Sequence, residues 1–347
     1  MLTLPPPGET QAYTIGDIGG HRCVVTKLPM TGHSREASIA SGSSTTRLLG
    51  TFQGVEYVLI VGVGGGVPHY TDYSRHVRLG DVVMSGPGLG QSQQFIYQYC
   101  QTARLGEEGE VTFETKSWCP AERTLQEIAG WLVASCRGCE EPSSPSSPWQ
   151  AQFNSAQQVL AMEDGPVWAR PEASTDKLYM SLGGGDMIEV GHPGPGPGTD
   201  DPRQAGLPLL HLGPVAAGRG VALDDQLRQE FAYKNGVLAY DSELDSVVES
   251  VYGNRKDHYI LIRGIADYKV SFTVCQCKAG YLTVSLLSSG RVTAEGLAAL
   301  RRSDGGQRGQ VYHHQHPALT EGQCPVVERG ERRQRNLQSS QAAQLTN

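Results

Sequence analysis

The stretch Val58-Leu59-Ile60-Val61-Gly62-Val63-Gly64-Gly65-Gly66-Val67-Pro68-His69-Tyr70 decides how the chain is read. Four aliphatic residues in a row predict a strand buried on both faces, as in a parallel sheet. The glycines predict a turn after it, where backbone comes close to a ligand or to another part of the chain. Pro68 ends the run. Upstream, residues 13–18 and 23–28 read as two short strands around Gly19-Gly20. Residues 35–50, rich in Ser, Ala and Thr, read as a helix with a small, tightly packing face and Gly50 as its stop.

Downstream, Arg78-Leu79-Gly80-Asp81-Val82-Val83-Met84-Ser85 reads as a turn entering a buried strand, and residues 95–99 as another. Over residues 121–136, Leu125, Ile128, Ala129, Leu132 and Val133 fall at helical spacing, with Pro120 and Glu122 suited to the first turn. Order returns at residues 209–216. A helix over 224–234, a strand over 237–240, a helix over 243–252 and a buried strand over 258–263 follow. This alternation implies an α/β fold with a mixed, mainly parallel sheet. Segments near 140–148 and 191–206, rich in Pro, Ser and Gly, read as inserted surface loops. Residues 269–347, polar and rich in Gln, Arg and Ser, read as a divergent, mostly disordered tail.

The 347 residues contain 43 Gly and 20 Pro, with 38% hydrophobic residues and a formal net charge of −7. That charge excludes a binder that gains affinity by neutralising nucleic-acid phosphates. No run approaches the ~20 apolar residues of a membrane helix, and the N-terminus lacks a signal-peptide pattern. A soluble, cytoplasmic chain is the expectation. Eight cysteines are scattered. Cys136/Cys139 with Cys275/Cys277 formally offer two zinc hooks, but both lie in weakly patterned sequence, and reduced thiols without metal are the better reading. His313-His314-Gln315-His316 reads as part of a solvated tail.

A dinucleotide fingerprint needs G-x-G-x-x-G opening a helix. Gly62 and Gly64 supply two glycines, Val67 stands at the third, and Pro68-His69-Tyr70 does not open a helix. An NAD-dependent oxidoreductase is therefore only the third reading.

The pair Val61-Gly62-Val63-Gly64-Gly65-Gly66-Val67-Pro68 and Arg78-Leu79-Gly80-Asp81-Val82-Val83-Met84-Ser85 resembles the nucleoside phosphorylase superfamily, which holds purine and uridine phosphorylases and methylthioadenosine/S-adenosylhomocysteine nucleosidases. Three later stretches agree in order. Gly213-Pro214-Val215-Ala216-Ala217-Gly218 looks like the family's G-x-I-x-S-G, Ala239-Tyr240-Asp241-Ser242-Glu243-Leu244 like its F/V-E-M-E-A, and Arg263-Gly264-Ile265-Ala266-Asp267 like its R-x-I-S-D. The resemblance spans residues 12–268. It implies a three-layer α/β/α sandwich and cleavage of the N-glycosidic bond of a purine nucleoside or a methylthioadenosine-like compound.

That chemistry needs a proton for the departing purine and a hold on the ribose while positive charge develops. A carboxylic acid in a partly apolar pocket can supply the proton. The resemblance gives that role to Asp267. It gives Glu243 the ribose 2′- and 3′-hydroxyls, since a carboxylate accepts from both at once. Asp241 keeps the charge of the family's first glutamate, Ser242 stands for the methionine beneath the ribose, and Val221 for the aromatic over the purine. Gly64, Gly65 and Gly66 would let backbone amides approach the sugar or an anion.

No cofactor is implied. Gly80 stands where hexameric phosphorylases carry a phosphate-gripping arginine, so water is the better acceptor, with phosphate open as co-substrate; Arg78 reads as an ion-pair residue. The resemblance also implies a domain short of its first strand, which MLTLPPPGETQ does not supply, and of the closing helix after Asp267, hence a marginally stable one. Ala266 replaces the family serine beside the acid. These departures keep a catalytically inactive nucleoside-binding sensor or scaffold as the second reading, and leave homo-oligomerisation open.

Overall fold

The computed structural model describes residues 2–4, 12–18, 20–29, 34–88, 95–106, 110–136, 148–162, 173–183, 186–198, 201, 203, 207–222, 224–241 and 244–268. All of them belong to the compact unit Met1–Asp304. Residues 137–147 of the first Pro/Ser loop and the 269–347 tail lie outside the described residues.

The strands are β1 (Leu2–Leu4), β2 (Tyr13–Ile18), β3 (His21–Val25), β4 (Tyr57–Gly66), β5 (Val82–Ser85), β6 (Tyr97–Leu105), β7 (Val111–Trp118), β8 (Leu178–Gly183), β9 (Asp186–Val190), β10 (Leu210–Gly213), β11 (Val215–Ala217), β12 (Ala239–Tyr240) and β13 (His258–Tyr268). The helices are α1 (Arg35–Thr51), α2 (Thr124–Cys136), α3 (Pro148–Ala161), α4 (Arg219–Ala222), α5 (Asp225–Asn235) and α6 (Asp245–Gly253).

β4 and β13 are the spine of an eight-stranded sheet in the order β10-β5-β13-β4-β12-β11-β6-β7. They run parallel from His258 opposite Tyr57 to Tyr268 opposite Gly66, with one register shift between Ile265 and Asp267. The β10–β5, β12–β11 and β11–β6 pairings are also parallel. The β5–β13, β4–β12 and β6–β7 pairings are antiparallel. The sheet is therefore mixed, with parallel pairing in the majority.

Side chains alternate across it, as the pleat requires. Tyr259, Leu261 and Ile265 pack with Ile60, Leu49 of α1 and Val247, Val248 and Val251 of α6. Ile260 and Ile262 point the other way, onto Leu125 and Ala129 of α2 and Trp149 and Phe153 of α3. Two helical layers thus enclose one sheet, and each fully buried aliphatic contributes about 1.5–3 kcal/mol. At the far end, Phe231 and Ala232 of α5 cover Ala216, Val237 and Tyr240.

Local signals explain the helices. Ser34 caps α1, accepting from the Ala37 N–H at 3.1 Å. The small face of α1 lets α6 close in: a Cβ on Gly42 would lie 3.3 Å from Ser246, and the Ser250 hydroxyl donates to the Gly42 carbonyl. Asp224 caps α5, and Gly236 ends it in the left-handed region at φ 65°.

Leu2–Leu4 forms a strand, antiparallel to β2 in a separate three-stranded sheet and outside the eight-stranded one. Three expectations need correction. The strand of the opening stretch does not stop at Val61; β4 continues through Gly66. The helix expected from residue 121 begins at Thr124, so Pro120 and Glu122 precede it. The ladder of β13 extends past Arg263 to Tyr268. Two elements lie where only loops or nothing was anticipated: α3 and the β8–β9 hairpin.

Candidate functional site

The glycines of β4 serve a side chain that crosses them. A Cβ on Gly62 would lie 2.9 Å from Arg263 Nη1, and one on Gly64 would lie 2.8 Å from the Tyr240 carbonyl and 3.3 Å from Arg263 Cβ. The first two distances are shorter than real Cβ contacts, so a methyl group there would force its neighbours to shift. None of the β4 glycines has a positive φ. The tight turn is replaced by a straight strand stripped of side chains where Arg263 passes.

Arg263 is 0% exposed. Its Nη1 donates to the Ile60 carbonyl at 2.9 Å, and its Nη2 to Asp241 Oδ2 at 3.2 Å. The Tyr97 hydroxyl donates to Asp241 Oδ1 at 3.2 Å and accepts the N–H of Leu244 at 3.2 Å. Burial raises the affinity of Asp241 for a proton, and the Arg263 guanidinium opposes it without cancelling it. Asp241 is thus held by Arg263, by Tyr97 and by the backbone N–H of Leu244. Ser242 and Glu243 lie outside the described residues.

Asp267, half-buried, stands opposite Gly65, and Tyr240 stands opposite the same glycine from the other side. Gly64, Gly65, Gly66 and Asp267 are therefore brought together at the C-terminal end of the β4–β13 pair, where ligands of α/β sheets usually bind. Val221, on α4, is 1% exposed and shares a buried cluster with Val67, which follows Gly66, and with Tyr240, which stands opposite Gly65.

The residue after Asp267 anchors a second network. The Tyr268 hydroxyl donates to Asp176 Oδ1 at 2.7 Å, Arg78 Nε donates to Asp176 Oδ2 at 2.7 Å, and His192 Nε2 reaches the Asp176 carbonyl at 2.8 Å. His76 Nε2 lies 2.9 Å from His192 Nδ1, and the His69 N–H points at His76 Nδ1. That last contact makes Nδ1 of His76 the acceptor, so its proton is on Nε2 and is shared with His192. Burial, reinforced by Arg75, lowers His69 to about 4. Burial and the neighbouring His192 lower His76 to about 3. Burial likewise pushes the Tyr268 phenol far above its usual range.

Asp81, of the Arg78–Asp81 turn, is 0% exposed. It accepts from Nη1 and Nη2 of Arg203, each at 2.9 Å, from His211 Nε2 at 3.0 Å, and from the N–H groups of Arg78 and Leu209. Burial opposes its charge, but the hydrogen bond and charge of His211, with Arg203, outweigh it and hold the carboxyl well below the usual carboxylate range. The turn's Gly80, at φ 85°, donates to the Ile265 carbonyl, tying this network to the strand that ends in Asp267. Arg203, His211, Asp176 and Tyr97 were not singled out from sequence. Their partners are too distant in the chain for any local spacing to reveal them. Among the described residues, no cluster of three or more His, Cys, Asp or Glu side chains could hold a metal.

No family model matches the chain. A nucleotide-binding leucine-rich repeat (NLR)-like protein of Hyaloscypha variabilis is 25% identical over 267 residues, 77% of this chain. The chain spans 24% of that relative's length. Among solved structures, the chain is similar to a 5′-methylthioadenosine/S-adenosylhomocysteine nucleosidase from Neisseria meningitidis in complex with methylthio-immucillin-A. That likeness has a TM-score of 0.39 at 11% identity and covers 86% of this chain and 89% of that one. It is similar also to the native futalosine hydrolase of Helicobacter pylori, with a TM-score of 0.36 at 13% identity over 87% of this chain and 88% of that one.

Proposed function

We propose that the chain binds a purine nucleoside or a methylthioadenosine-like compound and cleaves its N-glycosidic bond. The observation that carries this reading is the β4–β13 register, which sets Asp267 opposite Gly65 at the C-terminal ends of two parallel strands. There Asp267 protonates N7 of the purine as the C1′–N9 bond breaks and its electron pair moves to the base. Glu243 accepts hydrogen bonds from the ribose hydroxyls. Water bonds to C1′ and loses a proton, which restores the acid over the cycle. Water is preferred to phosphate because the Arg78 guanidinium is already taken by Asp176. The full chain, incubated with adenosine, inosine and 5′-methylthioadenosine, should release free base, and Asp267→Asn should slow release by about 10²-fold or more. No free base from any of the three would refute the reaction.

A second reading, a nucleoside-binding sensor without turnover, is favoured by one observation. The chain is 25% identical to a stretch of a protein named nucleotide-binding leucine-rich repeat (NLR)-like, of whose length it spans 24%. Calorimetric binding of a nucleoside without base release selects this reading.

A further inference from the structure

We infer that the turn at Gly80 and Asp81 is a positioning device for Asp267: it clamps a one-residue bulge of β13 that turns this carboxylate to the face of Gly65. This rests on the proposed function, in which Asp267 is the acid. Along β13, Ile265 stands opposite Gly64 and Asp267 opposite Gly65, so Ala266 is one residue more than β4 supplies. A strand sends alternate side chains to opposite faces. With regular pairing, Asp267 would stand opposite Gly66 and share the face of Arg263 and Ile265. Contacts mark that face: a Cβ on Gly62 would meet Arg263, and one on Gly66 would lie 3.1 Å from Ile265 Cγ2. The bulge reverses the phase. Tyr268, three residues after Ile265, packs against the same apolar cluster as Ile265, and Asp267 takes the face of Gly65. Bulges re-aim side chains in this way, and they gather beside active sites.

The clamp acts from the β5 side. The Ile265 N–H donates to the Asp81 carbonyl, and the Ile265 carbonyl accepts from the Gly80 N–H, both at 2.9 Å. Both backbone groups of the residue just before the bulge are thus held by the turn. The turn itself is closed twice: the Asp81 N–H donates to the Arg78 carbonyl at 3.0 Å, and the Asp81 carboxylate accepts the Arg78 N–H at 2.9 Å. The same carboxylate is anchored by Arg203, by His211 and by the Leu209 N–H. Gly80 permits this geometry, with φ at 85°, a region other residues enter only with strain. On the far side of the bulge, the Tyr268 hydroxyl is fixed on Asp176 Oδ1. A misplaced acid costs rate and leaves ground-state binding alone.

The test is Gly80→Ala in the full chain, with 5′-methylthioadenosine as probe. kcat is expected to fall about ten-fold or more, while the calorimetric affinity for the probe holds. Gly80→Asn, whose side chain tolerates the left-handed region, should recover most of the loss. In an Asp267→Asn background, Gly80→Ala should cost nothing further, because the group it aims is gone. A turn that serves only stability would act alike in both backgrounds. No fall in kcat, or an equal fall in both backgrounds, overturns the inference and leaves the proposed reaction standing. If Gly80→Ala does not fold, His211→Asn, which withdraws one donor from Asp81, is read by the same comparison. A wild type that neither binds nor cleaves the probe overturns the proposed function. Amide exchange in the variant then decides alone. Quickened exchange at Ala266 and Asp267, with residues 258–263 unchanged, supports the clamp; unchanged exchange at Ala266 and Asp267 refutes it.

Discussion

At Gly62 and Gly64 an added methyl group would meet the Arg263 side chain and the Tyr240 carbonyl. The contact at Gly64 is with backbone, which cannot swing aside. Gly64→Ala is therefore expected to lower stability by about 1–3 kcal/mol, read as a shift of the denaturant midpoint at constant slope. Gly50→Ala, where a Cβ meets nothing within 4 Å, should change little. The Arg263–Asp241 pair is removed from water, with side chains 0% and 1% exposed. Replacing one partner leaves a buried charge alone, so Arg263→Met should cost about 3–5 kcal/mol, and the double change with Asp241→Leu should recover most of it. A double variant no more stable than Arg263→Met would show that the two side chains do not act as a pair.

The elements carry their own consequences. The helix α3 presents Trp149, Phe153 and Ala156, at intervals of four and three, to the second face of the sheet. Trp149→Ala should cost about 3–5 kcal/mol; Trp131→Ala, on the exposed side of α2, should stay within about 0.5 kcal/mol. The loop between β4 and β5 holds His69 and His76 neutral, at about 4 and about 3. An unfolded histidine takes up its proton near pH 6.5, while the folded ones resist until far lower pH. The unfolded state then binds more protons, so stability falls as pH drops from about 6.5 toward 4. His76→Gln should flatten that decline, measured by thermal midpoints across the range. Asp81 adds the complementary effect: its folded proton affinity is depressed, so its contribution is full above about pH 5 and is lost as pH falls below the unfolded value.

Across the whole molecule, what could be read from sequence was what repeats locally. The apolar run 58–61, the run 258–263 and the spacing of Leu125, Ile128 and Ala129 declare their elements because burial imposes a period. The alternation of strand and helix signals led to the α/β fold, whereas the pairing of Asp267 with Gly65 is seen only in the register of β13 on β4. The partners were not legible. Arg203 meets Asp81 across 122 residues, and Asp241 meets Tyr97 across 144. Nothing in a local window reports such pairs. The conformation of the glycines was misread for the same reason: they were expected in a turn and lie in a strand. A strand without side chains and a turn look alike until the arginine that fills the space is known. The trio Trp149, Phe153 and Ala156 was legible and passed over beside a Pro/Ser-rich segment.

Asp176 belongs to the stretch before β8 that sequence reading leaves blank, yet a guanidinium, an imidazole and a phenol from three distant stretches end on it. A span that looks like ornament is in this respect a keystone. A shorter linker spliced in its place would strip Arg78, His192 and Tyr268 of the acceptors they now share.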